Sequence, residues 1–359
     1  MKPRSLVMVG TKKGAFVFES LDGRRTWKSS GPHFKGIPIY HVTLDPRTKV
    51  MYATVNSDFS GARLAKSRDN GRTWKEGKKP PRFPKASDWT VKQLWHVEPG
   101  VEEEPKVLYC GVNPAALFKS TDGGDTWALN QGLYGQETRP KWNPGAGGLC
   151  LHTILVHPRD PDTLLIAISS VGVLKSKDVG ESWSFKNNNL RADFSPNKYP
   201  EYGQCPHHLV RHPSRPDVIY QQNHCGQYRS HDNGETWKEM VGNLPSRFGF
   251  PIAVDFNDPK RVYVAPEESG AYRLPPDGRF LVWASDDEGR NWSAKGSGLP
   301  RRSYFTIFRE GMDTDEEDPS GVYAGTGNGQ LFFSRNAGER WSLIADGLPP
   351  ILSVNAASA

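Results

Sequence analysis

The chain has 359 residues, a net charge of +6, 36 Gly and 29 Pro. So much Gly and Pro argues against a helical protein and for a turn-rich one, and no apolar run approaches the roughly 18 residues of a membrane helix. The positive excess is mild and forms no Lys/Arg stripe with interleaved aromatics, so neither a membrane nor a nucleic-acid partner is expected. Four cysteines, Cys110, Cys150, Cys205 and Cys225, are too few for a disulfide framework.

From the N-terminus, Leu6–Val9 and Ala15–Glu19 read as two strands. The first is too short for the apolar core of a signal peptide, and a cytoplasmic chain is expected. A motif, S-x-D-x-G-x-T-W, then recurs along the whole sequence. It is complete at Ser67–Trp74, Ser120–Trp127 and Ser230–Trp237. Ser176–Trp183 has Ser182 for Thr, and Ser285–Trp292 has Asn291. Ser20–Trp27 has Arg24 in place of the motif glycine, and Ser334–Trp341 has Asn336 for Asp and Arg340 for Thr.

Around each copy the text is alike. A strand ends in an Asp-Pro or His-Pro turn, as at Asp45-Pro46, His157-Pro158 and His212-Pro213. A strand of the Val50–Ala53 or Val322–Gly325 kind follows, then one that runs into the motif and one that leaves from its Trp. Four strands per copy make a propeller blade. The sequence therefore predicts an all-β chain, one seven-bladed β-propeller domain over 1–359, with motifs at 20–27, 67–74, 120–127, 176–183, 230–237, 285–292 and 334–341. Only two strands fit before the first motif, and Ile351–Ala357 is left over after the last. This tail is expected to become the innermost strand of the first blade, hiding both sheet edges.

The motif itself has a structural task. Its Asp can accept backbone N–H bonds as an Asx-turn does, its Gly can take φ > 0, and its Trp can wedge between sheets. Chemistry belongs elsewhere, at the channel mouth where segments enter the innermost strands. Four successive segments place His there: His41, His96 (after Trp95), His152, and His207 or His208. Cys150-x-His152 and Cys205-x-His207 repeat a spacing that puts both side chains on one strand face. These two Cys and two His are candidate ligands for zinc, copper or iron. His224, beside Cys225, is expected on the next strand of the same blade. Glu201, Glu267, Glu268 and Asp193 are candidate mouth carboxylates for glycoside chemistry, which needs two flanking a sugar bond. Arg301, Arg302 and Tyr304 could contact an anionic sugar.

The motifs resemble those of the BNR/Asp-box superfamily, which includes sialidases, xyloglucan-cleaving endoglucanases, sortilin-type receptors and the plant photosystem II stability/assembly factor. Gly31–Phe34, Pro144–His152, Gln221–Gly226 and Pro350–Val354 look similar to stretches of bacterial proteins labelled BNR-repeat glycosyl hydrolases or exo-sialidases. That resemblance implies a glycoside hydrolase-like site at the mouth, taking a small molecule or glycan. Sialidases also carry an Arg-Ile-Pro motif and a Tyr/Glu nucleophile pair. The first is missing here, and Tyr304 has no assignable Glu partner, so true sialidase activity is not expected. The resemblance to the photosystem factor implies the alternative, a non-catalytic scaffold with a protein partner.

Overall fold

A computed structural model describes residues 4–358. Seven antiparallel sheets of four strands follow one another around a ring. The first contains Ile351–Ser358, Ser5–Thr11, Gly14–Ser20 and Lys28–His33, in that spatial order. The tail strand is therefore innermost in blade 1, with Leu6 opposite Ala357 and Met8 opposite Asn355. The inner strands of blades 2 to 7 are Ile39–Leu44, Gln93–Pro99, Leu151–Val156, Pro206–Arg211, Phe248–Val254 and Met312–Thr314. Among the described residues no helix is long and apolar enough to cross a membrane.

The core lies between the blades rather than inside any one of them. Leu165, Ala167 and Val173 of blade 4 pack on Leu209, Ile219, Tyr228 and Trp237 of blade 5. Each large apolar side chain buried this way contributes about 1.5–3 kcal/mol, so no blade is stable without its neighbours.

Each motif forms the turn between the third and fourth strands. In blade 2, Asp69 Oδ1 accepts from Thr73 N at 2.8 Å and from Ser67 Oγ at 2.7 Å. Thr73 Oγ1 donates to Asp69 Oδ2 at 2.6 Å. These donors, Thr73 first, hold the carboxyl down at about 2. In blade 6 the amide of Asn291 replaces the Thr hydroxyl, donating to Asp287 Oδ2 at 2.7 Å. Arg24 keeps the left-handed backbone of the glycine it replaces, at φ 62°. Its guanidinium reaches across the closing seam and donates to both oxygens of Asp315 in blade 7, each at 2.9 Å.

At the end where the chain enters them, the inner strands of blades 2 to 6 are not regular. The register slips between Ile39 and Val42, Leu94 and His96, Leu151 and Thr153, Pro206 and His208, and Gly249 and Ile252. A bulge of this kind turns successive side chains off the simple in-out alternation.

Candidate functional site

The bulges aim a ring of side chains at the axis. His41 from blade 2 and His96 from blade 3 lie with ring centroids 4.2 Å apart. Between them sits the carboxylate of Glu310, which precedes the inner strand of blade 7. His41 Nδ1 is 2.6 Å from Glu310 Oε2, and His96 Nδ1 is 2.8 Å from Oε1. All three are buried. Glu310 is itself fixed by backbone, since its carbonyl accepts from Val354 N of the closing strand at 2.7 Å.

Burial alone would raise the Glu310 pKa, but the two imidazoles hold it well below the usual carboxylate range. Burial likewise opposes charge on His96, yet Glu310 and then Glu98, whose Oε2 is 3.4 Å from His96 Nε2, push it up to about 10. His41 goes the other way: burial lowers it and outweighs Glu310. The result is an ionised carboxylate, a charged imidazole on one side and a neutral one on the other. His41 donates through Nδ1 to Glu310, which leaves its Nε2 a lone-pair acceptor.

Glu310 divides two cavities. The mouth cavity, about 380 Å³, is lined by Tyr40, Trp95, Phe250 and Phe308, by Lys12, Arg273 and Arg309, and by Glu310. Tyr40 and Trp95 have ring centroids 4.6 Å apart, and Arg309 lies over both Trp95 and Phe250. A Cβ on Gly147 would come within 3.1 Å of Arg309 Nη2, so the loop packs closely on the guanidinium. The second cavity, about 350 Å³, opens at the other end and is lined by His41, His96, His208, Glu98, Glu310 and Asp313 among others.

The expected metal quartet is not what the fold assembles. His152 has both ring nitrogens engaged, Nε2 with Pro206 O and Nδ1 with Thr153 Oγ1, each at 3.0 Å. Cys150 Sγ donates to Ser169 Oγ at 3.3 Å. The bulge at Leu151/Thr153 turns His152 away from the arrangement on which the expectation rested. Cys205 and His207 instead gather with His224, their ligand atoms all within 4.8 Å of one another. His224 and Cys225 lie in the turn after Ile219–Asn223, not on a strand as expected. The bulge also separates the two adjacent histidines: His208 lines the second cavity, while His207 Nδ1 meets Gly249 O at 2.5 Å.

The expected carboxylates scatter. Glu201 and Glu268 are exposed. Glu267 is buried, and neither of its oxygens finds a hydrogen-bond partner of good geometry. Burial pushes its carboxyl up to about 7, against the pull of Arg273. Arg301, Arg302 and Tyr304 are exposed and line neither axial cavity. Among the candidates, Trp95 lines the mouth, and His41, His96 and His208 line the cavity beyond it.

Sequence reasoning missed Glu310, Arg309 and Arg273. A signal for the first existed. Glu310 stands five residues before Asp315, as His152 does before His157 and His207 before His212. Counting back from the turn finds it where the blade 7 strand, only three residues long, gives no hydrophobic pattern.

A BNR/Asp-box repeat model matches residues 228–239, which span the blade 5 turn. That repeat sits in a seven-bladed ring of four-stranded sheets. No curated protein matches it. Among solved structures, a GH74 enzyme from Niastella koreensis is similar at 18% identity, covering 94% of this chain and 52% of its own, with a TM-score of 0.62. The YCF48 protein bound to D1 peptide shares 16% identity over 85% of this chain and 80% of its own, at 0.52. YCF48 from Cyanidioschyzon merolae shares 11% over 86% and 84%, at 0.54. The propeller thus spans about half the length of the GH74 enzyme and most of the YCF48 chains. Likeness at these identities establishes the fold alone.

Proposed function

We propose that the propeller binds a small anionic ring compound, of the sugar-acid class, in its mouth cavity and hydrolyses a glycosidic bond there. The observation that carries this is the lining: aromatic faces, three cations and one acid, Glu310. Tyr40 and Trp95 offer the faces on which sugar rings stack. Lys12, Arg273 and Arg309 suit a carboxylate, the two arginines as bidentate donors. Glu310, kept ionised by two imidazoles, is placed to stabilise positive charge building on a sugar carbon as its bond to the leaving group breaks; water adds to that carbon and gives up one proton, and the leaving oxygen takes up one proton. The GH74 neighbour supports the reaction class, and four free cysteines suit a reducing compartment, so we place the activity in the cytoplasm.

A second reading, a non-catalytic assembly protein that takes a peptide carboxyl terminus in the same mouth, is favoured by the length match to the YCF48 propellers. The test is a panel of aryl glycosides of uronic and sialic acids, with binding of the free acids followed by calorimetry. Turnover should fall by about 10²–10⁴ in Glu310→Gln while binding persists. Trp95→Ala should weaken binding at least about tenfold. A flat panel with no heat of binding to any sugar acid, on folded protein, sinks the proposal; binding of short acidic peptides by the same sample would then establish the second reading.

A further inference from the structure

We propose that Cys205, His207 and His224 bind a transition-metal ion of the zinc or copper class, with a fourth position open to solvent. Proximity is only the first ground, because Glu310, His41 and His96 are equally close. In that axial trio the ligand atoms meet because they are hydrogen-bonded to one another, so a metal would have to break the bonds that hold them. In the blade 5 trio no such bond exists. Among the described residues, Cys205 Sγ, His207 Nε2 and the His224 ring have no hydrogen-bond partner, so three potential ligand atoms lie within 4.8 Å of one another without being bonded to each other.

The support around them is what a metal site requires. His207 donates its Nδ1–H to Gly249 O, which leaves Nε2 as the ligand and fixes the plane of the ring. His207 also stacks on Phe250 at 4.5 Å. The turn bearing His224 is tied to the loop bearing Cys205 by His224 N donating to Cys205 O at 3.0 Å. Phe194 and Phe248 pack on His224 at 5.1 and 5.0 Å, an apolar collar that holds the ring in place. Gly270 belongs to this collar, since a Cβ there would lie 3.0 Å from His224 Nε2. One thiolate and two imidazoles are a borderline-to-soft set, which selects zinc or copper over magnesium or calcium. His207 is buried while Cys205 and His224 remain half-open, so the ion is reachable by one small ligand.

This site and the channel chemistry stand on different residues, and each can fail alone. Metal-free protein is titrated with Zn²⁺, with Cu⁺ under reducing conditions, and with Co²⁺ as a spectroscopic probe. The expected result is one equivalent of zinc or copper per chain, a thiolate-to-cobalt charge-transfer band, and a melting temperature raised by the metal. Affinity should fall by at least about tenfold to a hundredfold in Cys205→Ser and in His224→Gln, and stay unchanged in Cys150→Ser. Binding below about a tenth of an equivalent by wild-type protein overturns the site, as does binding that both Cys205→Ser and His224→Gln retain; the wild-type titration decides even if a variant misfolds.

Discussion

The rim and the axis of this propeller solve the same problem, how to hold polar groups in place, in opposite ways. At the rim, each turn satisfies itself. Ser67, Asp69 and Thr73 lie within one short segment, and the same bonds recur in blade after blade. At the axis nothing is local. Glu310 is partnered by residues 269 and 214 positions away, and no two blades contribute the same set. A repeated local solution makes a scaffold that tolerates change at any single copy. A unique, non-local solution is destroyed by one substitution, and that is where function can reside.

The sharpest way to break this comparison is at the blade 1 rim turn, which a buried ion pair ties to the neighbouring blade. Asp315 is buried and accepts from Arg24, from Gly321 N at 2.7 Å and from Tyr323 Oη at 2.7 Å. Asp315→Ala strands a buried guanidinium and a buried hydroxyl together. It should cost about 3–5 kcal/mol, the penalty for breaking a buried pair from one side. Denaturant unfolding measures this, and a loss under about 1 kcal/mol would mean that the closing seam is held by the tail strand alone.

In the second strand of blade 6, Glu267 makes an intermediate test. Its carboxyl is raised from 4.5 to about 7 by burial. The folded state therefore holds a proton that the unfolded state releases. This contribution is complete below pH 4.5 and is lost as pH rises to about 7, amounting to about 3 kcal/mol. The rim carboxylates, such as Asp69 at about 2, behave oppositely, stabilising above 3.8 and failing only in acid. Glu267→Gln has no proton to lose, so its stability relative to wild type should climb between pH 5 and 8. A constant difference across that range would show that Glu267 is solvated in solution.

The same contrast explains what could be read from the sequence. Seven blades and the tail strand were legible because the rim motif is local and repeated; even Arg24 and Asn336 left enough of it standing. The channel histidines were legible as a series at the starts of successive inner strands, two of them at one distance from a His-Pro turn. Their directions were not. One-residue bulges decide that His208 faces the axis and His207 faces Cys205, and neither bulge has a Gly or Pro signature beyond Pro206 itself. Glu310 was hidden by a strand too short to show a period, and its two partners lie in blades distant in sequence.

The smallest expected effect sharpens the rim half of the comparison. The fourth motif position is left-handed in every copy described, held by Gly23, Asn70, Gly123, Asn233, Glu288, Ala337 and, in blade 4, Val179 at φ 58°. A β-branched side chain there clashes with its own backbone, at a cost of about 1–2 kcal/mol relative to residues that tolerate the region. Val179 is 36% exposed, so little burial is lost by replacing it. Val179→Asn should stabilise by about 1 kcal/mol and raise the melting temperature by about 2 °C. Asn70→Val, in blade 2, should do the reverse by a similar amount. If calorimetry finds both substitutions neutral, the turns are not locally determined, and the independence of the rim from the rest of the ring is lost as an explanation.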